Sequence, residues 1–390
     1  MLCRTWDEAI EADWPAVSWA TDPVGGRHLV VAGHAAIREV LADPVQWGPD
    51  NALDALTPIP ISALRVLARH GFRLPPTLAN NGTDSHPMIR GLVAEALHPD
   101  RVEAQRAWLS GVVAARVTTL QGRVAAGEEV DLYAELAADL PLLVLARLID
   151  LPDSQVSVVK EFSRAALELF WAPLDTQRQQ ALAEVVGRYH AVLRDFAATA
   201  PGMVGAIREK AGSVDVAVGA LFFLLVAGQE TTSQFLTLLL HRLAMEPGVL
   251  AGLRDRSVKA ADVVEEGLRL VPPIVTWRRV ATTDLVLDGV AVPYGTSVVL
   301  WLAAAGRDAA IVAQRHEFVP GQRGSRRHLA FGAGAHRCVG AQLARMEAAV
   351  VVEQGAALLA DARVIRAPWC PDNLSFRMPD AFVIGQASGI

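Results

Sequence analysis

Residues 328–352 of the sequence are HLAFGAGAHRCVGAQLARMEAAVVV, and this stretch decides the fold. Gly332 and Gly334 precede Cys338, Gly340 follows it, and from there the apolar residues recur at helical spacing. The pattern therefore predicts a glycine-rich loop that presents one thiol just before the start of a helix.

A thiol in this position has distinctive chemistry. The helix dipole and the free backbone N–H groups favour an anion, so we expect the pKa of Cys338 to be lowered towards the thiolate. Glycines let the backbone approach a flat, bulky partner without Cβ clashes, and His336 adds a donor suited to a carboxylate. The alternative is a buried structural cysteine, which would not account for the surrounding glycines.

Composition narrows the class of protein. The chain has 390 residues, 52% of them hydrophobic, and a net charge of −6, so it can bury a large core and shows no basic excess for nucleic acid. Three cysteines do not form a disulfide framework and indicate a reducing cytoplasm. The charged N-terminal stretch predicts neither a signal peptide nor a membrane anchor.

Most of the chain between about residues 84 and 270 has helical patterning. It includes predicted helices over 101–127, 154–171 and 176–200, which end at Gly or Pro. The fourteen uncharged residues at 216–229 are too few to cross a bilayer, so we expect a buried core helix there.

Strand patterns are confined to a portion near each end of the chain. Residues 27–33 form one predicted strand, and residues 284–302 alternate around Gly289 as a hairpin does. No Pro/Gly/Ser-rich linker divides the chain, so the sequence predicts a single domain over residues 1–390.

The run FGAGAHRCVGAQLAR resembles the haem-binding loop of the cytochromes P450, usually written FGxGxHxCxGxxLAR. Every defined position is filled. The resemblance implies a mainly α fold with small β-sheets, a single triangular-prism domain, and heme b as cofactor. It makes Cys338 the metal ligand and adds further cofactor-binding residues in the loop. These are Phe331, Gly332, His336 and Gly340.

The segment AGQETT, residues 227–232, follows the core helix pattern. A carboxylate beside an apolar core must be paired, protonated or hydrated, and a helical threonine can hydrogen-bond back to a carbonyl. From the residues alone, the segment could equally be where a core helix reaches the surface. It resembles the oxygen-activation segment of P450s, in which Ala227 and Gly228 make room over the haem. The resemblance makes Glu230 and Thr231 catalytic, passing protons.

Haem carries two propionates, which need cationic or donor partners. His86 and Arg90 lie at i, i+4 and resemble the family's HxxxR clamp, although an exposed pair at a helix start has the same spacing. Arg279 stands just before a strand pattern where P450s place another propionate-binding arginine. Arg278 is the alternative.

Glu266 and Arg269 are three residues apart on a predicted helix that opens with a capping box from Asp262 to Glu265. Spacing alone favours a solvated surface pair. The resemblance implies instead a buried structural pair with a third partner downstream. The expected arginine falls at Gln322, so the neighbouring Arg323 is the candidate.

The substrate pocket is expected where the family places its recognition loops. Its predicted residues are mostly apolar and favour a hydrophobic substrate, although each could equally be plain core. They are Leu78, Phe170, Phe223, Ala227, Val275, Thr276 and Phe376.

Together these features predict a bacterial, soluble P450 monooxygenase. It would insert one oxygen atom from O₂ into a small-molecule substrate, and its resemblance to actinobacterial enzymes implies a role in secondary metabolism. The chain offers no cysteine set for an iron–sulfur module, so ferredoxin and ferredoxin reductase are the expected electron donors. We expect a cytoplasmic monomer without membrane or nucleic-acid partners. Oxidative coupling, nitration and epoxidation by the same haem stay open, as does a silent P450-like helper, which the retained Cys338 disfavours.

Overall fold

A computed structural model of the protein describes residues 10, 14–22, 25–152 and 156–387. The helices are α1 His34–Ala42, α2 Ile61–Arg69, α3 His86–Ala96, α4 Pro99–Glu103, α5 Arg106–Ala125, α6 Leu140–Ile149, α7 Val156–Trp171, α8 Thr176–Thr199, α9 Gly202–Ala211, α10 Val214–Leu225, α11 Thr231–Ala244, α12 Pro247–Arg254, α13 Ala260–Leu270, α14 Leu302–Ala305 and α15 Ala341–Ala360. Short π-helical turns cover Tyr133–Ala137 and Val226–Glu230.

The strands form three small sheets. They are β1 Val17–Thr21, β2 Arg27–Val31, β3 Trp47–Gly48, β4 Val130–Asp131, β5 Thr276–Ala281, β6 Leu285–Leu287, β7 Val290–Val292, β8 Ser297–Trp301, β9 Ala362–Arg366 and β10 Val383–Gln386. The largest sheet has the order β1-β2-β8-β5-β3, with β2 and β8 parallel and its other pairs antiparallel. The sequence pattern predicted separate strand-rich portions near the two ends of the chain. In the structure this sheet joins the N-terminal strands to residues 276–301.

The helical body buries one long helix at its centre. Helix α10, the π-helical turn at Val226–Glu230 and helix α11 run on as Val214–Ala244. By length and composition this 31-residue run could cross a membrane, but 61% of its most apolar window is buried inside the protein, as in a core helix. The core helix was predicted over 216–229. It continues past Glu230 because that carboxylate is buried and paired with Lys160 rather than exposed at a helix end.

Three local predictions needed correction. The helix predicted over 101–127 is α4 and α5, bent at residues 104–105, both of which keep helical dihedral angles. The predicted hairpin is β6–β7, whereas the following strand β8 leaves it to pair with β5 and β2. Helix α13 begins after Lys259 without a side-chain cap, so the capping box predicted from Asp262 to Glu265 is wrong. Both carboxylates bond to residues outside the helix instead.

Helix α15 links the cysteine loop to the helical body. It packs against α5, α11 and α13, and most of its residues are buried. The loop that carries Cys338 is therefore anchored at its C-terminal end by a core helix, and it faces the central helix formed by α10 and α11.

Candidate active site

A cavity lies between the cysteine loop, the central helix, α3 and β5. Its walls are formed largely by apolar side chains. Twelve of the residues singled out from the sequence line it: Leu78, Arg90, Phe223, Ala227, Gly228, Thr231, Arg279, Phe331, Gly332, His336, Cys338 and Gly340. Residues more than 260 positions apart in sequence, Leu78 and Gly340, thus line the same cavity.

The cysteine loop has a defined backbone. The Cys338 amide donates to the Phe331 carbonyl at 2.8 Å, which closes the loop across seven residues. Gly332 and Gly334 have φ values of 63° and 68°, which favour glycine. At Gly334 a Cβ atom would also stand 2.1 Å from the Leu41 carbonyl oxygen, so the loop packs directly against the end of α1. Glycine is required there by both conformation and space.

The Cys338 sulfur opens onto the cavity while the surrounding protein desolvates it. Burial raises the pKa of the Cys338 thiol, against the opposing effects of the Gly340 amide and the Arg90 and Arg337 cations. The prediction that the helix start lowers this pKa is wrong for the protein alone, because desolvation of the thiolate outweighs the nearby dipole and charges. A bound metal cation would ionise a coordinating thiol outright.

Two arginines bring uncompensated positive charge to the cavity. Arg279 is only 2% exposed, donates to the Arg278 carbonyl at 2.8 Å, and has its pKa lowered by burial to about 10. Arg90 donates to the Arg337 carbonyl at 2.6 Å. Among the described residues, no carboxylate forms an ion pair with either arginine. One buried and one half-buried cation beside a thiol fit a cofactor with two carboxylates, and the residues present therefore suit haem.

Arg278 and Arg279 are adjacent in β5, but their side chains point to opposite faces of the strand. Side chains alternate along β5, so Trp277 and Arg279 both line the cavity. Arg278 points away and donates to the carbonyls of Ala52 and Asp54. Trp277 was not predicted as a wall residue, yet the same alternation, applied outward from Arg279, would have identified it.

The two histidines of the predicted propionate site lie against each other, with ring centroids 4.2 Å apart. His336 lines the cavity, whereas His86 is buried behind it and Arg90 alone of that pair faces the cavity. His336 Nδ1 bonds to the Leu78 carbonyl at 3.0 Å, and burial lowers the His336 pKa to about 4. Its Nε2 is then an acceptor, so the neutral ring lacks the donor towards a carboxylate that the sequence suggested.

Opposite the thiol, the central helix opens into the π-helical turn. The Thr231 hydroxyl donates to the Ala227 carbonyl at 2.5 Å, and both residues line the cavity. Glu230 is fully buried and faces away from the cavity, where Lys160 of α7 approaches its Oε1 at 2.7 Å. The alternative in which AGQETT reaches the surface is therefore wrong. Lys160, which was not singled out from the sequence, connects the buried carboxylate to the protein exterior because its side chain is 21% exposed.

Four predicted pocket residues lie behind the wall rather than on it. Val275 is buried, and the Thr276 hydroxyl donates to the Leu374 carbonyl at 2.7 Å. Phe170 and Phe376 pack on Trp171 with ring centroids 5.8 and 5.0 Å away. Alternation along β5 directs the Thr276 side chain to the face of the strand opposite that of Trp277. None of the four residues lines the cavity, and they support its wall from behind.

The pair Glu266 and Arg269 is fully buried, with Nη2 and Oε1 2.7 Å apart. Arg269 also donates to carbonyls at Gly306 and Arg315, which fixes the segment after α14. The third partner is Gln322, whose Nε2 donates to Glu266 Oε1 at 2.7 Å. The predicted candidate Arg323 is exposed instead. An amide donor therefore stands at position 322, where the arginine was expected.

The site defines a class of protein: a helical enzyme that holds a flat, doubly anionic cofactor against a thiol. A family model described as Cytochrome P450 matches residues 260–354. The chain is 31% identical over 366 residues to cytochrome P-450 monooxygenase DoxA of Streptomyces sp. (strain C5), covering 85% of this chain and 81% of that relative. It is 29% identical over 323 residues to linalool 8-monooxygenase of Pseudomonas putida, covering 75% and 72%.

A solved structure of cytochrome P450 CREJ in complex with (4-ethylphenyl) dihydrogen phosphate superimposes with a TM-score of 0.89 at 25% identity. The match covers 99% of this chain and 97% of that one. The chain belongs to the cytochrome P450 family and has its mainly α fold with small sheets. It is an oxidoreductase of the monooxygenase type that uses haem, O₂, a small-molecule substrate and a redox partner.

Proposed function

We propose that the protein inserts one oxygen atom from O₂ into a largely hydrophobic small molecule, with heme b bound through Cys338. The observation that carries this proposal is the shared cavity. An unpaired thiol, two arginines without a carboxylate partner among the described residues and a threonine beside a π-helical turn all face it. Bound haem would supply the oxygen activation and C–H oxidation that no side chain here can perform.

The chain's own residues bind and orient the cofactor. Cys338 would hold the iron from the loop side, and Gly332 and Gly334 let the backbone lie close to a flat ring. Arg90 and Arg279 would each pair with a propionate, which would neutralise two cations that have no carboxylate partner among the described residues. Phe331 adds an apolar surface on the same side.

Across the cavity, Glu230 and Thr231 would manage protons. Lys160 keeps Glu230 paired while it is buried, and the hydroxyl of Thr231 is held at the cavity by the Ala227 carbonyl. A proton entering from the exterior at Lys160 reaches the Glu230 carboxylate, and movement of that side chain about the π-helical turn would bring it towards Thr231. The helper alternative is disfavoured because this set of groups is retained.

The substrate side of the cavity supports an apolar ligand. Leu78, Phe223, Leu224, Ile274 and Trp277 form this wall, and none carries a charge. The related protein CREJ is solved with an aromatic phosphate monoester. We infer a substrate with an apolar, ring-containing body, and the reaction outcome includes hydroxylation and, by the same chemistry, coupling, nitration or epoxidation.

Electrons would come from ferredoxin and ferredoxin reductase in the reducing cytoplasm, with the protein working as a monomer. The described chain consists of the P450 fold, whereas one structural relative is an intact self-sufficient P450 of which this chain covers only 50%. The proposed electron donors are tested by measuring substrate-dependent NAD(P)H consumption with and without added ferredoxin and ferredoxin reductase.

The thiolate assignment has a direct test. The purified, haem-loaded protein is reduced, and carbon monoxide is added while the absorbance spectrum is recorded. We expect the long-wavelength band that gives the family its name, its loss in Cys338→Ala, and its retention in the matched control Cys370→Ala. A Cys338→Ala protein that keeps the band would contradict the proposal.

A further inference from the structure

Glu265 is a buried carboxylate that the proposed chemistry does not use. It lies on α13 beside the structural pair and is 3% exposed. Arg345 donates to it twice, from Nε to Oε1 at 2.5 Å and from Nη2 to Oε2 at 3.2 Å, while His328 Nε2 lies 3.1 Å from Oε2. His328 starts the cysteine loop and Arg345 lies in the helix that ends it. One carboxylate therefore joins both ends of the loop.

The hydrogen bonds define the protonation states of this cluster. The Ala330 amide donates to His328 Nδ1 at 3.2 Å, so Nδ1 carries no proton and Nε2–H donates to Glu265. Burial lowers the His328 pKa and keeps the ring neutral. For Glu265, burial alone would raise the pKa, but the bonds from His328 and Arg345 outweigh it and bring the pKa to about 2. The cluster therefore consists of the anionic Glu265, the cationic Arg345 and the neutral His328, and its net charge does not change near neutral pH.

A short route leads from this cluster to the thiol. The Arg345 guanidinium lies over the Phe331 ring, 4.5 Å from the ring centroid, with Glu265 fixing its orientation. The Phe331 carbonyl accepts the Cys338 amide at 2.8 Å. Stacking of a guanidinium on an aromatic face is directional, so the orientation of Arg345 constrains Phe331. The position of Phe331 in turn constrains the backbone at Cys338.

We propose that Glu265 is a positioning residue that sets the backbone geometry of the Cys338 loop through Arg345 and Phe331, and thereby tunes how strongly the thiolate donates to the haem iron. The inference rests on the proposed function, because it takes Cys338 as the ligand. Groups outside the first ligand orient it and adjust the electronic properties of the metal. Glu265 does not line the cavity, and under this proposal its effect passes through the loop.

The first test compares the haem-loaded wild type with Glu265→Gln, which is isosteric but uncharged. We expect part of the reduced carbon monoxide complex to lose the thiolate band in favour of a shorter-wavelength band, and the reduction potential to shift upward. The matched control is Asp262→Asn, on the same helix, whose carboxylate pairs with the exposed Arg326 at 3.0 Å. The control should leave both readouts at their wild-type values.

A second test separates positioning from the loss of a nearby charge. If Glu265 acts through Phe331, the upward shift caused by Glu265→Gln shrinks in a Phe331→Leu background, whereas a plain charge effect keeps its full size there. Arg345→Lys retains the charge but not the flat stacking group, and it should reproduce the spectral change of Glu265→Gln. A full-size shift in the Phe331→Leu background, or an unaltered Arg345→Lys spectrum, overturns the inference.

Two further outcomes are informative. Should Glu265→Gln fail to take up haem, His328→Leu keeps the carboxylate–Arg345 pair and removes one donor, so a smaller shift in the same direction is expected and an unchanged spectrum overturns the proposal. A wild type without the thiolate band rejects the proposed function itself. A wild type that has the band, together with a Glu265→Gln protein identical to it in both readouts, rejects only the positioning role.

Discussion

Arg278 and Arg279 are adjacent in sequence and have opposite surroundings. Both are buried, and burial lowers the pKa of each to about 10. Arg278 bonds to the carbonyls of Ala52 and Asp54 behind the sheet, whereas Arg279 faces the cavity and bonds only to a neighbouring carbonyl among the described residues. A buried cation without a counterion costs folding free energy. Arg279 is therefore retained at a cost that a bound anion would offset.

At this residue scale we predict opposite effects of Arg279→Met on the two forms of the protein. The haem-free protein should gain stability, by about 1 kcal/mol or more, because an uncompensated buried charge is removed. Haem affinity should fall by about 10- to 100-fold, the equivalent of one charge-assisted hydrogen bond of about 1.5–3 kcal/mol. Urea denaturation of the haem-free form and haem titration measure the two effects.

The control is Arg278→Met. It removes donors from two carbonyls on the far side of β5 and should destabilise the protein while leaving haem affinity close to the wild-type value. Equal losses of haem affinity in both variants would contradict the assignment of Arg279 to the cofactor.

The central helix is the element that connects the site to the protein exterior. Its π-helical turn inserts an extra residue between α10 and α11 and directs Thr231 into the cavity and Glu230 towards α7. Gln229 also donates to the Ala138 carbonyl at 3.0 Å, which ties this turn to the region of the second π-helical turn at Tyr133–Ala137. Because Lys160 lies on α7, the packing of α7 against the central helix gives Glu230 its ion-pair partner.

At the element scale we predict that Lys160→Met lowers the free energy of unfolding by about 3 kcal/mol at pH 8, because Glu230 is left buried without its cation. Urea denaturation at pH 8 measures it.

Two variants check the cause of that loss. Lys160→Arg keeps the positive charge and should retain most of the stability. Adding Glu230→Gln to Lys160→Met removes the unpaired charge and should restore much of it. A double variant no more stable than Lys160→Met would indicate lost packing of the lysine stem rather than the ion pair.

At the scale of the whole molecule, the cavity separates two bodies of structure. The cysteine loop and β5 lie on one side of it and the central helix on the other. Haem that binds only the folded protein links these walls and adds stability by mass action.

We predict that haem loading raises the midpoint of thermal unfolding and that the rise grows with free haem concentration. At a free concentration about 100 times the dissociation constant, the gain is about 2.7 kcal/mol. Scanning calorimetry of the haem-free and loaded forms measures it. The Cys338→Ala protein should show a smaller rise, and an identical midpoint with and without haem would contradict binding in this cavity.

The sequence alone determined the loop, the order of the motifs and the type of cofactor. These depend on local chemistry: a thiol among glycines, a small pair followed by an acid and an alcohol, and arginines at given spacings. The positive φ values at Gly332 and Gly334 are a local requirement of this kind, and the helix bounds after Trp171 and Thr199 follow from the prolines that come next.

Only the tertiary structure decided which side chain each group meets. Several contacts of the site depend on segments that are remote in sequence. These are the pairing of Glu230 with Lys160, the hydrogen bond from Gln322 rather than Arg323 to Glu266, the hydrogen bond of His336 to Leu78, and the packing of Phe376 on Trp277. The raised pKa of Cys338 has the same origin, since desolvation is a property of everything packed around the sulfur. Local pattern fixes which chemistry is available, and packing fixes the neighbours, burial and charge balance under which it operates.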